Sequence, residues 1–328
     1  MQFHLNKNEK HNCVTPNFPK RILLGLNDGH CNLKCPACYV HGVNNDKKIS
    51  KGCMPLENAN KIFDEVKDTG IFISPVLWSE PLLIKNYSDY FIKIKQAGLH
   101  AFINTNGLIL SKKMAKNFIS IPIHSIFISI DATTPETLKK VRGIDNLEKI
   151  QSSVFMLLQE RKKMLSPRIG VSFVESKLNN HEKADFISFW IEHVDVVRVN
   201  DVYEEHNRTK NQNILLQRVP CGALYDTMPI NHKGDVPICC LDSFNETNMG
   251  NVFENGVQGV WLGKKFENVR MLHETGQYNK LPLCSHCDVW KNYLIKETVS
   301  KGILIRESPV MTYYNRMDRM YTWHSRIR

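Results

Sequence analysis

Six short apolar runs, each followed by a helical pattern, constrain this chain more than any other feature. They cover residues 21–26, 71–78, 100–104, 125–130, 168–174 and 194–199. Each is rich in β-branched residues and nearly all apolar, as expected of a strand buried on both faces of a parallel sheet. Helical periods fill the gaps. Leu56, Ala59, Ile62, Phe63 and Val66 share one face, and Gly70 follows as a stop. Residues 86–97 end at Gly98 in the same way. Thr134 and Pro135 place a capping residue before a proline at the first helical position, and a further helix is expected over residues 182–193. Strands alternating with helices imply a parallel β/α sheet with right-handed crossovers. An open doubly wound sheet and a curved partial barrel both satisfy this, and in either the loops after the strands form the active face.

The chain has 328 residues, 42% of them hydrophobic, enough to bury a sizeable core. No apolar run approaches the roughly 20 residues of a membrane span. The start, MQFHLNKNEKHN, has no apolar signal core, so a cytoplasmic location is expected. Net charge is +10, read either as a solvated basic surface or as attraction to an anionic partner. Residues 316–328 mix arginines with Tyr321 and Trp323. Such mixtures bind RNA, but a tail docked over a cleft is the preferred reading. No internal repeat of fixed period is present.

After about residue 215 the pattern changes. Residues 227–231 and 236–239 read as two short strands joined in a hairpin by His232-Lys233-Gly234-Asp235. Cysteines and turns follow, so a second, loop-rich unit held by metal is expected. The chain has ten cysteines. In a reducing compartment, clustered cysteines read as metal or redox sites rather than disulfides.

Cys31, Cys35 and Cys38 lie within eight residues, directly after the first strand. Three thiolates on one loop can hold three irons of a cubane and leave the fourth open. Zinc is the alternative, with His30 or His41 as a fourth ligand. Cys221, Cys239, Cys284 and Cys287 form a second set that can close one [4Fe-4S] cluster or one zinc. Of the remaining cysteines, Cys13 and Cys53 are read as incidental. Cys240 is read as a buried small side chain or a hydrogen-atom donor.

The C-x3-C-x2-C spacing after the first strand resembles the signature of the radical S-adenosylmethionine (SAM) superfamily. Trp78-Ser79-Glu80-Pro81 is similar to that family's Gly-Gly-Glu-Pro stretch, which contacts the methionyl amino group. Thr105-Asn106-Gly107, Ser129-Ile130-Asp131 and Arg142-Gly143 are similar to positions that hold SAM in relatives. The resemblance covers roughly residues 20–200. It implies a partial (β/α)6 barrel, a SAM-binding [4Fe-4S] cluster on Cys31, Cys35 and Cys38, and SAM contacts from Ser79, Glu80, Asn106, Ser129, Asp131 and Arg142. Two positions depart from the family pattern. Ala37 stands where an aromatic is usual, with Tyr39 as the substitute contact to adenine, and Ser79 replaces a glycine.

The second set resembles the family's SPASM region in its shortened twitch form, through Cys221, Gly234-Asp235-Val236-Pro237-Ile238-Cys239-Cys240, Asp242, Gly250-Asn251-Val252, Trp261, Arg270 and Cys284-Ser285-His286-Cys287. That implies one auxiliary [4Fe-4S] cluster on Cys221, Cys239, Cys284 and Cys287, in a small hairpin-plus-helix unit. The expected division is an extension over 1–20, the radical SAM core over 21–215, the auxiliary unit over 216–298 and a tail over 299–328.

The resemblance implies reductive cleavage of SAM, with an external reductant such as flavodoxin or ferredoxin, and hydrogen abstraction from a substrate. Three functions compete. The first is oxidation or epimerisation of a small polar molecule, such as a sugar or aminocyclitol, with the auxiliary cluster accepting an electron and Cys240 returning hydrogen in the epimerase variant. The second is maturation of a ribosomal peptide, disfavoured because only about 20 residues precede the first strand. The third is a zinc-stabilised protein that binds nucleic acid through its basic surface, with steep salt dependence. Arg198, on the sixth strand, faces either the mouth of the sheet or its outer side.

Overall fold

The computed structural model describes residues 15–42, 48–121, 123–202 and 218–320. Cys13, Tyr321, Trp323 and the expected boundary at 215 lie outside them. The first half alternates as the apolar periods require: β1 (Arg21–Leu24), α1 (Leu56–Glu65), β2 (Phe72–Ser74), α2 (Tyr87–Gln96), β3 (His100–Thr105), α3 (Lys112–Ser120), β4 (Ile123–Ser129) and α4 (Pro135–Arg142). There follow α5 (Leu147–Arg161), β5 (Arg168–Glu175), α6 (Lys183–His193) and β6 (Val196–Asp201). On α1 the predicted face is the buried one: Ala59, Ile62, Phe63 and Val66 are all 1% exposed or less. Each large side chain so buried contributes about 1.5–3 kcal/mol. Helix α4 starts as its sequence signals, with the Thr134 hydroxyl accepting from the Thr137 N–H. It ends on Gly143, left-handed at φ 75°. The second strand is shorter than the predicted 71–78 because Pro75, which has no N–H to donate, follows Ser74.

Strands β1 to β6 form consecutive parallel neighbours, with pairs such as Ile22 with Ile73 and Val171 with Val197. The sheet curls into a partial barrel rather than lying open. Arg198 on β6 donates from Nη2 to Asn104 Oδ1 on β3 at 3.1 Å, and its guanidinium lies 4.8 Å from the Phe127 ring centroid. Three strand spacings in a flat sheet are about 14 Å, so a direct bond between β6 and β3 requires a concave face. Arg198 therefore faces the lumen.

The remaining elements are α7 (Ala223–Asp226), β7 (Thr227–Ile230), β8 (Asp235–Pro237), β9 (Asn248–Asn251), α8 (Val252–Trp261), α9 (Lys264–Glu274), α10 (Pro282–Ser285), β10 (Lys296–Ser300), β11 (Ile303–Ser308) and β12 (Met311–Arg316). Two expectations are corrected here. The strands flanking His232-Lys233-Gly234-Asp235 do not pair with each other. Strand β7 joins the main sheet parallel to β1, where Met228 and Ile230 are fully buried, and β8 pairs with β9. The apolar side chains of β7 find more to bury against on β1 than on the short, proline-containing β8. The hairpin-plus-helix unit is thus β8–β9–α8, and β7 belongs to the core sheet.

The segment read as a tail is a meander, β10–β11–β12, whose last strand runs antiparallel to β6. Among the described residues the main sheet has ten strands, in the order β10-β11-β12-β6-β5-β4-β3-β2-β1-β7. Its outer strand β10 is exposed along its length and carries Lys296 and Glu297, charges that discourage pairing at a free edge. Among the described residues, no helix is long and apolar enough to cross a membrane.

Candidate active site

The loops after β1 to β4 converge at the C-terminal ends of the strands, and Glu80 ties three of them together. Its backbone N–H donates to the His30 carbonyl at 2.8 Å. Its carboxylate accepts from the Leu82 N–H at 3.0 Å, the Thr105 hydroxyl at 2.5 Å and the Asn106 N–H at 2.8 Å. Asn106 in turn donates to Asn32 Oδ1 within the cysteine loop at 2.8 Å. Glu80 is 3% exposed, and that burial pushes its pKa up despite these hydrogen bonds and the nearby Arg142. The carboxylate thus braces the mouth through three hydrogen bonds. Ser79 donates to Asn27 Oδ1 at 2.7 Å, and Asn27 donates to the Glu80 carbonyl at 2.9 Å. Asn27 and Asn32 carry no motif of their own in the sequence, and their one signal is adjacency to the cysteine loop; Thr105 belongs to the Thr105-Asn106-Gly107 stretch singled out there.

Asp131 and Arg142 form a buried pair, 9% and 11% exposed at their side chains. The Arg142 Nη2 and Nε atoms lie 2.6 and 2.9 Å from Asp131 Oδ2. The other Asp131 oxygen accepts from the Val174 N–H at 2.8 Å, and Asp131 itself has a left-handed φ of 68°. Burial alone would lower the Arg142 pKa, but Asp131 and, further off, Cys35 and Glu80 raise it. Ser129 is bonded to Ser172 at 3.1 Å between hydroxyls. Behind Arg142, Gly143 packs on the cysteine loop, near the Lys34 carbonyl and Pro36.

Cys31, Cys35 and Cys38 are unpaired, half-buried thiols. The Leu33 N–H donates to the Cys31 sulfur at 3.5 Å and the His41 N–H to the Cys38 sulfur at 3.3 Å. Burial pushes the Cys35 thiol up to about 11; Arg142 opposes this, while Cys38, Asp131 and Cys31 add to it. Cys31 is raised by burial too, with Glu80 and Cys38 adding to the rise. The three thiols, Glu80, Asp131 and Arg142 are therefore electrostatic neighbours in one mouth.

The second set converges equally. Burial pushes the Cys221 and Cys239 thiols well up, and Cys287 and Cys284 are electrostatic neighbours of both. Cys284 is pushed up to about 12, by burial first and then by Cys287. Arg218 donates to the Cys284 carbonyl at 2.7 Å and lies over the Tyr278 ring at 3.7 Å. Thiols crowded this way resist ionisation alone and gain from a cationic centre that takes them as thiolates. Among the described residues, no three His, Cys, Asp or Glu side chains close in as ligands of one ion. In a cubane each iron takes a separate thiolate, so a set of three or four cysteines suits it chemically. In number and kind, three thiols in one set and four in the other, the donors suit [4Fe-4S] clusters.

Cys240 joins the two regions. Its carbonyl accepts from the Tyr39 hydroxyl at 3.1 Å and from Trp78 Nε1 at 2.8 Å. Tyr39, expected at adenine, thus uses its hydroxyl to hold the auxiliary segment against the cysteine loop. Burial pushes the Cys240 thiol up to about 11, with Cys287 adding to the rise. Arg270 and Trp261 are packing groups: Arg270 donates to the Leu224 carbonyl at 2.9 Å and the Trp261 carbonyl at 2.8 Å, and lies 4.4 Å from the indole centroid.

Comparison with known proteins agrees with this geometry. Residues 29–164 match the radical SAM superfamily model and residues 221–288 match the SPASM iron-sulfur cluster-binding domain. The Fe-coproporphyrin III synthase of Methanosarcina barkeri is 29% identical over 118 residues, 35% of this chain and 28% of that protein. The GTP 3',8-cyclase of Desulforamulus reducens is 26% identical over 160 residues, 48% of this chain and 47% of that protein. The chain thus spans less than half the length of these curated relatives. Among solved structures, BtrN in complex with AdoMet and 2-DOIA has a TM-score of 0.55 at 17% identity, covering 84% of this chain and 94% of that one. Streptococcus suis SuiB bound to precursor peptide SuiA has a TM-score of 0.64 at 17% identity, covering 80% and 68%. The two domains imply SAM, a [4Fe-4S] cluster and further iron-sulfur. With a cysteine loop after β1, a braced mouth beside it and a second thiol set packed against it, the chain belongs to the radical SAM superfamily and carries a SPASM iron-sulfur cluster-binding domain.

Proposed function

We propose that this protein oxidises a carbinol carbon of a small polar substrate, such as a sugar or aminocyclitol, with epimerisation as a close variant. The observation that carries this reading is the second thiol set. Cys221, Cys239, Cys284 and Cys287 can ligate one cluster completely, and a closed cluster suits electron transfer better than substrate binding. When bound, the cofactors supply a 5′-deoxyadenosyl radical that takes a hydrogen atom and an acceptor for the electron left behind. Cys31, Cys35 and Cys38 hold the first cluster. Ser79, Glu80, Asn106, Ser129, Asp131 and Arg142 orient SAM, with Arg142 held in place by Asp131. Tyr39 stands at the junction with the auxiliary segment, and Cys240 is the candidate hydrogen donor of the epimerase variant. Flavodoxin or ferredoxin is the expected reductant. Support for a small substrate comes from the likeness to BtrN, which spans 94% of that chain.

Peptide maturation is the second reading, supported by the likeness to peptide-bound SuiB. The test is anaerobic reconstitution with iron and sulfide, followed by SAM and dithionite. About eight irons per chain and formation of 5′-deoxyadenosine are expected. Zinc in place of iron, with no SAM cleavage, would sink the proposal. Product analysis with carbinol substrates and with peptides then separates the two readings.

A further inference from the structure

Arg218 stands shortly before Cys221 in the chain and reaches the segment that carries Cys284 and Cys287. Its Nη2 donates to the Cys284 carbonyl at 2.7 Å and its Nη1 to the Ser285 carbonyl at 3.4 Å. The guanidinium lies 3.7 Å from the Tyr278 ring centroid and 5.9 Å from that of Trp290. Two carbonyls and two aromatic rings therefore fix one positive charge beside the ligand segments.

Among the described residues, no carboxylate is ion-paired with this charge; its partners are the carbonyls and rings just named. Two acids that neighbour the thiols are engaged elsewhere. Asp288 pairs with Lys291 at 2.8 Å, and Asp242 accepts from the Thr247 N–H and hydroxyl at 3.0 and 2.7 Å. Burial raises the Cys221, Cys284 and Cys287 thiols, and Arg218 is a neighbour that opposes the rise at each. Its Nε is buried and has no hydrogen-bond partner among the described residues. Buried donors are nearly always paired, so a buried N–H and a charge without a carboxylate, beside four thiols, suit an anionic group. Four thiolates around an iron-sulfur core make one.

We propose that Arg218 sets the reduction potential of the second cluster, its fixed positive charge favouring the reduced form. An added electron makes an anionic centre more negative, and a cation held beside it in buried surroundings offsets part of that cost. Arg218 acts through the cluster, so its effect is read on the potential and not on activity alone. The proposal deepens the electron-transfer role given to the second thiol set and rests on it.

The experiment is a redox titration of the full-length, iron-loaded chain carrying Cys31→Ala, Cys35→Ala and Cys38→Ala, so that the second set alone holds iron, about four per chain. The reduced cluster is followed by electron paramagnetic resonance. Arg218→Gln, whose amide can still donate to a carbonyl, should lower the reduced-to-oxidised ratio at a fixed potential at least about tenfold, about 59 mV for one electron, with iron retained. Arg218→Lys keeps the charge and should stay within about threefold of the parent chain. The proposal is overturned if Arg218→Gln also stays within about threefold of the parent. It is overturned as well if Arg218→Lys shifts as far as Arg218→Gln, since contacts rather than charge are then responsible. Loss of iron from Arg218→Gln overturns it too, because the side chain then holds the ligand segments together rather than tuning what they bind. A parent chain that binds no iron strikes the electron-transfer reading along with the proposal, whereas an unchanged potential strikes the proposal alone.

Discussion

Replacing Asp131 by Asn tests whether the mouth depends on a buried ion pair. Asparagine keeps the shape and can still accept from the Val174 N–H through one oxygen. It removes the charge opposite Arg142 and turns an amide donor toward a guanidinium that is only 11% exposed. Breaking a buried pair from one side costs about 3–5 kcal/mol, because the partner charge stays buried. In a chain of this size about 2 °C of melting temperature corresponds to each kcal/mol. Asp131→Asn should therefore melt about 6–10 °C below the wild type, followed by circular dichroism under anaerobic conditions at matched iron content. Arg142→Met leaves Asp131 unpaired and should also destabilise. The double variant removes both charges, so its loss should fall short of the sum of the singles by about 2–3 kcal/mol. Additivity within about 0.5 kcal/mol would refute the reasoning, because the two side chains would then be energetically independent.

Other outcomes follow from the same contacts. Cys287→Ala should lower iron from about eight to about four per chain while 5′-deoxyadenosine still forms; unchanged iron would exclude Cys287 as a ligand. Glu182 accepts from the Thr133 N–H and the Thr134 hydroxyl, and although burial opposes it, these bonds hold its pKa below the usual carboxylate range. A depressed carboxylate stabilises above its unfolded pKa, and the contribution fades as pH falls through the folded one. Glu182→Gln should accordingly cost about 1–2 kcal/mol at pH 7 and approach zero below the folded pKa; a pH-independent cost in urea titrations would contradict this. Arg270→Met leaves the Leu224 and Trp261 carbonyls without their donor and should cost about 2–4 kcal/mol, read as a lower melting temperature. A change of less than about 0.5 kcal/mol would show that Arg270 does not fasten α8 and α9 to the core.

The parts of this protein legible in the sequence are those set by local periodicity and local spacing. The strand–helix alternation could be read because a two-face-buried strand and a one-face-buried helix print different periods in the chain. The cap at Thr134 and the stop at Gly143 are decided within a few residues, and so is the grouping of Cys31, Cys35 and Cys38 on one loop. Only the tertiary structure decided the rest. Whether β7 pairs with β8 or β1 depends on competing surfaces about 200 residues apart. The curl of the sheet, and with it the direction of Arg198, depends on accumulated strand twist that no single segment records. The double hydrogen bond of Tyr39 and Trp78 to the Cys240 carbonyl, and the meeting of Asp28 with His232, join residues more than 160 positions apart. Local pattern reports what a segment must bury; which surface buries it, and which polar atoms meet there, is settled only when the segments pack.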